Sequence, residues 1–559
     1  MFTLDWIVIG LFAVILVAIV VWVLKKKQDS SGDYFLAGRD ATWLAIGASI
    51  FASNIGSEHL IGLAGAGASS GMAMAHWEIQ GWMILILGWV FVPFYSRSMV
   101  YTMPEFLERR YNPQSRTVLS FISLISYVLT KVAVTVYAGG LVFQQVFGIE
   151  EIWGIDFFWI AAIGLVLITA LYTVIGGMRS VLYTSILQTP ILLLGSLIIL
   201  VLGLKELGGW ENMMQICGIT DVNEHGDKMT SLIRSNSDPN FPWLGALIGS
   251  AIIGFWYWCT DQYIVQRVLS GKNEREARRG SIFGAYLKLL PVFLFLIPGM
   301  IAYALHYNSG EFLPLLTDGK VNADAAFPTL VAKLLPAGVK GLVVCGILAA
   351  LMSSLASLFN SSSMLFTIDF YKRFRPATPE KQLVRVGQLA TVVIVILGIL
   401  WIPIMRGVGD VLYTYLQDVQ SVLAPGIAAA FLLGVTWKRA SAKGGYYGLL
   451  AGLVVGLTRL GAKIYYTAAD AAPASLFKYV FFDINWLFFC GWMFLFCILV
   501  VIAVSYATAA PSPAKIQGLV FGTSTPEQRA ASRASWNGWD IFHTTVILAI
   551  TAAFYIYFW

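Results

Sequence analysis

Ser53-Asn54-Ile55-Gly56-Ser57-Glu58-His59 is the stretch that decides how this chain folds. It falls near the middle of an apolar run, about 42 to 69, that is long enough to cross a bilayer. A second stretch, Gly254-Phe255-Trp256-Tyr257-Trp258-Cys259-Thr260-Asp261-Gln262, puts a glycine, aromatics and polar groups into the run from 241 to 268. Each unsatisfied backbone group costs several kcal/mol in hydrocarbon, so unwound helix is tolerated only where it lines a cavity or binds something. Broken helices at matching places in two halves of a chain are the sequence signature of a transporter site.

The surroundings of these two breaks fix the class. Of 559 residues, 58% are apolar and only 12% charged, and the mean hydropathy is +0.74. That excludes a soluble enzyme, a nucleic-acid binder and a disordered protein, and predicts an all-α polytopic membrane protein. Fourteen spans are expected, at about 7–24, 42–69, 72–98, 117–148, 156–176, 182–203, 241–268, 280–304, 337–371, 385–405, 412–436, 445–465, 483–506 and 541–558. Lys25, Lys26 and Lys27 follow the first run rather than precede it, which predicts a retained span with its N-terminus outside. With that parity most of the 37 Lys and Arg fall in inner loops, so the net charge of +6 reports topology and not an anionic ligand.

Each break opens a block of five spans, two to six and seven to eleven, and an odd block length inverts the second block relative to the first. The expected organisation is an extra span with its inner loop (1–40), a first five-helix repeat (41–204), an outer loop (205–240), an inverted second repeat (241–437) and three further spans (438–559). The five cysteines are scattered and predict no disulfide framework, with only Cys217 in a polar loop.

Residues suited to chemistry gather around the breaks. Ser353 and Ser354, adjacent on span nine and facing the carbonyls of an unwound stretch, would make an all-oxygen cage of neutral ligands for a hard cation, favouring Na⁺ over a proton. The same small residues would also let helices pack closely. Glu78 and Lys288 lie within spans three and eight, where a charge costs about 2.5–3.5 kcal/mol on insertion scales, so they either face a cavity or form a structural pair. His59 reads as a ligand group or a satisfied imidazole, and Gln417 as a ligand group or helix-helix glue. Asn54, His59, Glu78, Lys288 and Gln417, with the aromatic faces of Tyr257 and Trp258, suit an uncharged, hydroxyl-rich ligand with an apolar ring face. No metal-ligand cluster or nucleophile motif points to an enzyme.

Asp33-Tyr34-Phe35-Leu36-Ala37-Gly38-Arg39, the first break with Ala48–Ala52 before it, Trp256 to Arg267, and Tyr286-Leu287-Lys288-Leu289 resemble the sodium/glucose cotransporters of the solute:sodium symporter family, from about 30 to 465. The resemblance implies a LeuT-type core of two inverted five-helix repeats and sodium-coupled symport of a monosaccharide of the glucose or galactose type. Myo-inositol or another polyol is the alternative, and a non-transporting sugar sensor a further one. It implies sodium ligands at the backbone carbonyls of Ala52, Ile55 and Ala350 and the hydroxyls of Ser353 and Ser354. It also implies a sugar site of Asn54, His59, Glu78, Lys288 and Gln417, an inner gate at Tyr257 beside Trp258, and a lid of Leu63, Trp77 and Tyr413. Three positions depart from the pattern. Gly254 replaces a polar residue and leaves room for a water or a different substituent, Ala356 replaces a threonine and implies one Na⁺ per sugar, and Ser185 replaces an acidic residue. The expected partners are a sugar, Na⁺ and the lipid bilayer, with no nucleic acid. The lone outer cysteine points to a bacterial plasma membrane.

Overall fold

A computed structural model describes residues 2–25, 29–56, 58–316, 319–405, 412–468 and 475–559, without the side chains of 128–130, 133, 401–405, 412–418 and 467–468. Among the described residues eleven helices are long and apolar enough to cross a membrane, and two shorter apolar helices, Trp43–Asn54 and Val134–Phe147, are parts of interrupted ones. Described helices overlap each of the expected segments, some of them joining two, so the number that qualifies by length and composition is eleven and not fourteen. Phe157–Leu207 runs through spans five and six, bending at Gly177, whose φ of +53° is open to glycine and strained for other residues. Glu58–Ser98 likewise joins the second half of span two to span three.

Both breaks form where the polar stretches lie. Helix Trp43–Asn54 ends when Ile55 adopts an extended ψ of 105°, and the chain resumes as a π-helical turn at Glu58–Leu63 before Ala64–Ser70. The second is narrower than the sequence indicates. Trp243–Gly254 continues into a π-helical segment, Phe255–Thr260, and only Asp261 leaves the helix, with ψ 127°; its side chain caps Gln262–Leu269 by accepting from the Tyr263 N–H. Widened π turns are common at functional sites because they turn side chains off the regular helical face.

Helix Trp43–Asn54 packs against Glu274–Lys288 of span eight, the second half of Phe157–Leu207 and Val339–Met364 of span nine. Small residues set that approach: a Cβ on Gly47 would meet the Gly280 carbonyl at 2.9 Å, and one on Gly280 would meet Ile46 at 2.6 Å. Span nine is the centre of the bundle, 89% of its most apolar window being buried, whereas the first span is 17% buried and stands at the edge.

The expected outer loop at 205–240 carries a helix, Trp210–Ile219. Its segment is tied to the bundle where Met72 donates to the Met229 carbonyl at 2.8 Å and Leu232 to that of Phe558 at 2.9 Å. Cys217 is thereby buried, not exposed in a polar loop as its sequence neighbours suggest. Burial pushes its thiol up to about 12. All five cysteines are free.

Candidate functional site

The two breaks meet around a cavity lined by Asn54, Glu58, His59, Trp77, Glu78, Gln80, Lys131, Tyr257, Trp258 and Lys288, with Gln420 from span eleven. Its polar groups are already organised into one network. Lys288 donates to Glu78 Oε2 at 2.6 Å and to Asn54 Oδ1 at 3.1 Å. Asn54 donates from Nδ2 to the Tyr257 hydroxyl at 3.2 Å, and His59 Nε2 lies 3.3 Å from the same Glu78 oxygen. Lys288 also stands 5.3 Å from the Trp258 ring centroid. Glu78 is 1% and Lys288 2% exposed, so each compensates the other's desolvation. They are a structural pair and cavity-lining residues at once: the alternatives left open by the sequence are both realised.

Chemically, the network offers donors and acceptors with no net charge across the pair, beside the faces of Tyr257 and Trp258. Such a surface matches hydroxyls, which give and accept hydrogen bonds, better than a carboxylate, which only accepts.

Beside the cavity the first break meets span nine. Ser354 donates to the carbonyls of Ser53 at 3.2 Å and Ile55 at 3.1 Å, and Ser53 Oγ lies 2.7 Å from Ser357 Oγ. Ser353 Oγ lies 3.5 Å from Ser185 Oγ, which reaches Ser49 at 3.4 Å. Ala52 and Ala350 are buried in the same contact. Hydroxyls and carbonyls at the C-terminal, electronegative end of helix Trp43–Asn54 form the type of oxygen-rich environment that a dehydrated Na⁺ requires.

The profile of the Sodium:solute symporter family matches residues 34–452. This chain belongs to that family. Na⁺ is therefore its co-transported ion, a small solute is its other cargo, and it is a transporter rather than an enzyme. The sodium/myo-inositol cotransporter 2 of Bos taurus is 37% identical over 93% of this chain and 79% of its own length. The sodium/myo-inositol cotransporter of Homo sapiens is 36% identical over 93% of this chain and 75% of its own. A Na⁺-coupled sialic acid symporter solved in a substrate-bound outward-open state aligns with a TM-score of 0.74 over 91% of this chain and 99% of that one, at 21% identity, and shares the LeuT-type fold.

Within this symporter fold most of the expected residues that the structure describes come together, and Leu63 does not join the cavity lining. Leu63 is fully buried but does not line the cavity, whereas Trp77 lines it while stacking on Trp486 at 5.6 Å. Tyr413 and Gln417 lie outside the described side chains. Gly254 leaves no room for a water, because a Cβ there would meet the Gln80 amide at 2.5 Å. Gln80 fills that space, accepting from Trp258 Nε1 at 3.2 Å and donating to the Ser250 carbonyl at 2.8 Å.

Gln80 and Lys131 were not singled out from the sequence, and Ser53 and Glu58 were noted there only as part of the first break, not as site residues. Lys131 was detectable by the criterion that singled out Lys288, a charge deep within a span. Its ammonium pairs with Asp261 at 2.7 Å and lies 4.7–5.2 Å from the rings of Tyr127, Trp256, Tyr257 and Tyr263. Tyr127 also donates to Asp261, and Tyr263 to the Ser53 carbonyl. The second break is thereby held against span four and the first break.

Proposed function

We propose that this symporter carries an uncharged cyclic polyol of the myo-inositol class inward with Na⁺. The observation that carries this reading is the Lys288–Glu78–Asn54–Tyr257 network. Its cation and anion compensate each other, leaving hydrogen-bonding capacity without net charge next to two aromatic faces. An anionic solute would need an uncompensated cation or an exposed helix N-terminus at the site, and Lys288 is committed to Glu78. The names of the myo-inositol cotransporters aligned over 93% of the chain support a polyol over a hexose. Glucose or galactose remains the second reading, because the same network presents the same donors and acceptors to a pyranose.

In this proposal the solute is bound by Asn54, His59, Glu78, Lys288, Gln417, Tyr257 and Trp258. Na⁺ is bound by the carbonyls of Ala52, Ile55 and Ala350 with Ser353 and Ser354, at one ion per solute. Na⁺ enters between the first break and span nine, fixes the break and so completes the solute site. Solute binding closes Trp77 and its neighbours above, the two repeats rock, and Tyr257 moves aside to release both cargoes into the cell. The N-terminus lies outside, and the protein resides in a bacterial plasma membrane. One charge moving through about 100 mV supplies ~2.3 kcal/mol and a tenfold Na⁺ gradient ~1.4 kcal/mol. Together they sustain roughly 500-fold accumulation of the solute.

Uptake of radiolabelled myo-inositol, glucose, galactose and mannose into proteoliposomes, with Na⁺, K⁺ or proton gradients imposed in turn, tests this directly. Accumulation of myo-inositol under a Na⁺ gradient alone is expected; accumulation of none of the four would refute the substrate class.

A further inference from the structure

Besides His59 and the phenols of Tyr257 and Tyr263, four acidic or basic side chains line the cavity: Glu58, Glu78, Lys131 and Lys288. Lys288 and Glu78 answer each other at 2.6 Å, and Lys131 is held by Asp261 at 2.7 Å. That leaves Glu58. His59 and Lys131 act on it through space, but among the described residues no Lys or Arg forms an ion pair with it. A carboxylate left over from the pairing in a largely buried site is costly unless something compensates it.

Its place indicates what does. The turn at the first break folds the Glu58 carboxylate back over Gly56. A Cβ on Gly56 would lie 2.5 Å from Glu58 Oε2 and 2.9 Å from Ser354 Oγ, which bounds the separation of those two oxygens at 5.4 Å. Ser354 is the hydroxyl that reaches the carbonyls of Ser53 and Ile55. The carboxylate therefore borders the oxygen cage on one side and the solute cavity on the other. A side chain at position 56 would have to displace either the carboxylate or the hydroxyl.

We infer that Glu58 supplies the net negative charge of the cation site, making the cage anionic rather than neutral, and that it joins the Na⁺ and solute sites through one side chain. This rests on the placement of Na⁺ at Ser353 and Ser354. Neutral oxygens replace the hydration shell of Na⁺, but only a formal charge adds long-range attraction in a site of low dielectric. When Na⁺ is bound, Glu58 is neutralised. Because the same carboxylate lines the cavity, the solute then meets a charge-balanced wall, and occupation of one site favours the other.

The test is equilibrium binding of ²²Na⁺ to the purified full chain in detergent, without solute, with K⁺ holding ionic strength constant. Glu58→Gln is expected to raise the half-saturating Na⁺ concentration at least tenfold. Glu58→Asp, which keeps the charge but withdraws it by one methylene, should raise it severalfold. Ser354→Ala should also weaken binding. Wild-type ²²Na⁺ affinity in Glu58→Gln, alongside weakened binding in Ser354→Ala, overturns the role of Glu58 while the cage stands. So does a Glu58→Gln variant that loses only myo-inositol affinity. If Ser354→Ala binds as the wild type does, it is the cage that is misplaced. Should Glu58→Gln fail to fold, unchanged affinity in Glu58→Asp overturns the inference by itself.

Discussion

Replacing Lys288 by methionine removes the ammonium from Glu78 while keeping an unbranched side chain of comparable length. Nζ and Oε2 are 2.6 Å apart, with both side chains 97% or more buried. At an effective dielectric of about 20 the attraction between them is ~6 kcal/mol. Desolvation offsets part of that in the intact pair, but the carboxylate left behind stays desolvated, and breaking such pairs costs about 3–5 kcal/mol. Asn54 Oδ1 loses its donor in the same step. The cost divides between the fold and solute binding, so both need measuring. Lys288→Met should melt at a lower temperature in detergent and need at least 100-fold more solute for half-maximal uptake in proteoliposomes, since every ~1.4 kcal/mol is tenfold. Adding Glu78→Gln removes the stranded charge; the double variant should regain much of the melting temperature and none of the transport. A Lys288→Met protein with wild-type melting and wild-type half-saturation would refute the buried pair. A transporting double variant would refute its place in the site.

Tyr257→Phe keeps the ring and loses the hydroxyl that accepts from Asn54; a net ~0.5–1.5 kcal/mol predicts a roughly 2- to 10-fold rise in the solute concentration for half-maximal uptake, with Na⁺ coupling retained. Gly254→Ala drives a methyl into the Gln80 amide and should cost ~1–3 kcal/mol of stability as overpacking, read as a lower melting temperature. Trimming Gln80 to alanine in the same chain should relieve it. Burial raises the Cys217 thiol to about 12, so it stays protonated at pH 8. Iodoacetamide at pH 8 should leave Cys217 unmodified in the folded protein, and mapping of modified peptides should show it reacting once the chain is denatured. Ser354→Ala should raise the Na⁺ requirement of uptake with little change in melting temperature.

The broken helices were legible in the sequence because hydrocarbon penalises polar backbone and polar side chains so heavily that each interruption of an apolar run has a cause. Glu78 and Lys288 stood out for the same reason. Asn54, His59, Tyr257 and Trp258 followed from lying in or beside the breaks. The reach of Gln80 into the space above Gly254 was not legible: a glutamine near a span end is unremarkable alone, and the 2.5 Å approach joins residues 174 positions apart. Glu58 lay in full view, yet its meaning depends on a turn that folds it over Gly56 and on the pairing of every other charge around it. Lys131 met the depth criterion applied to Lys288, but its partner Asp261 and its four aromatic neighbours come from other elements.

By itself, then, the sequence determined that this is a helical membrane protein with two interrupted spans opening two five-span blocks, because membrane insertion acts on each segment separately and leaves its mark in local composition. Tertiary structure alone decided which charges answer one another and which carboxylate, Glu58, is left without an ion-pair partner among the described residues. Electrostatic compensation in a medium of low dielectric is a property of distances between helices, and no single stretch of chain contains them.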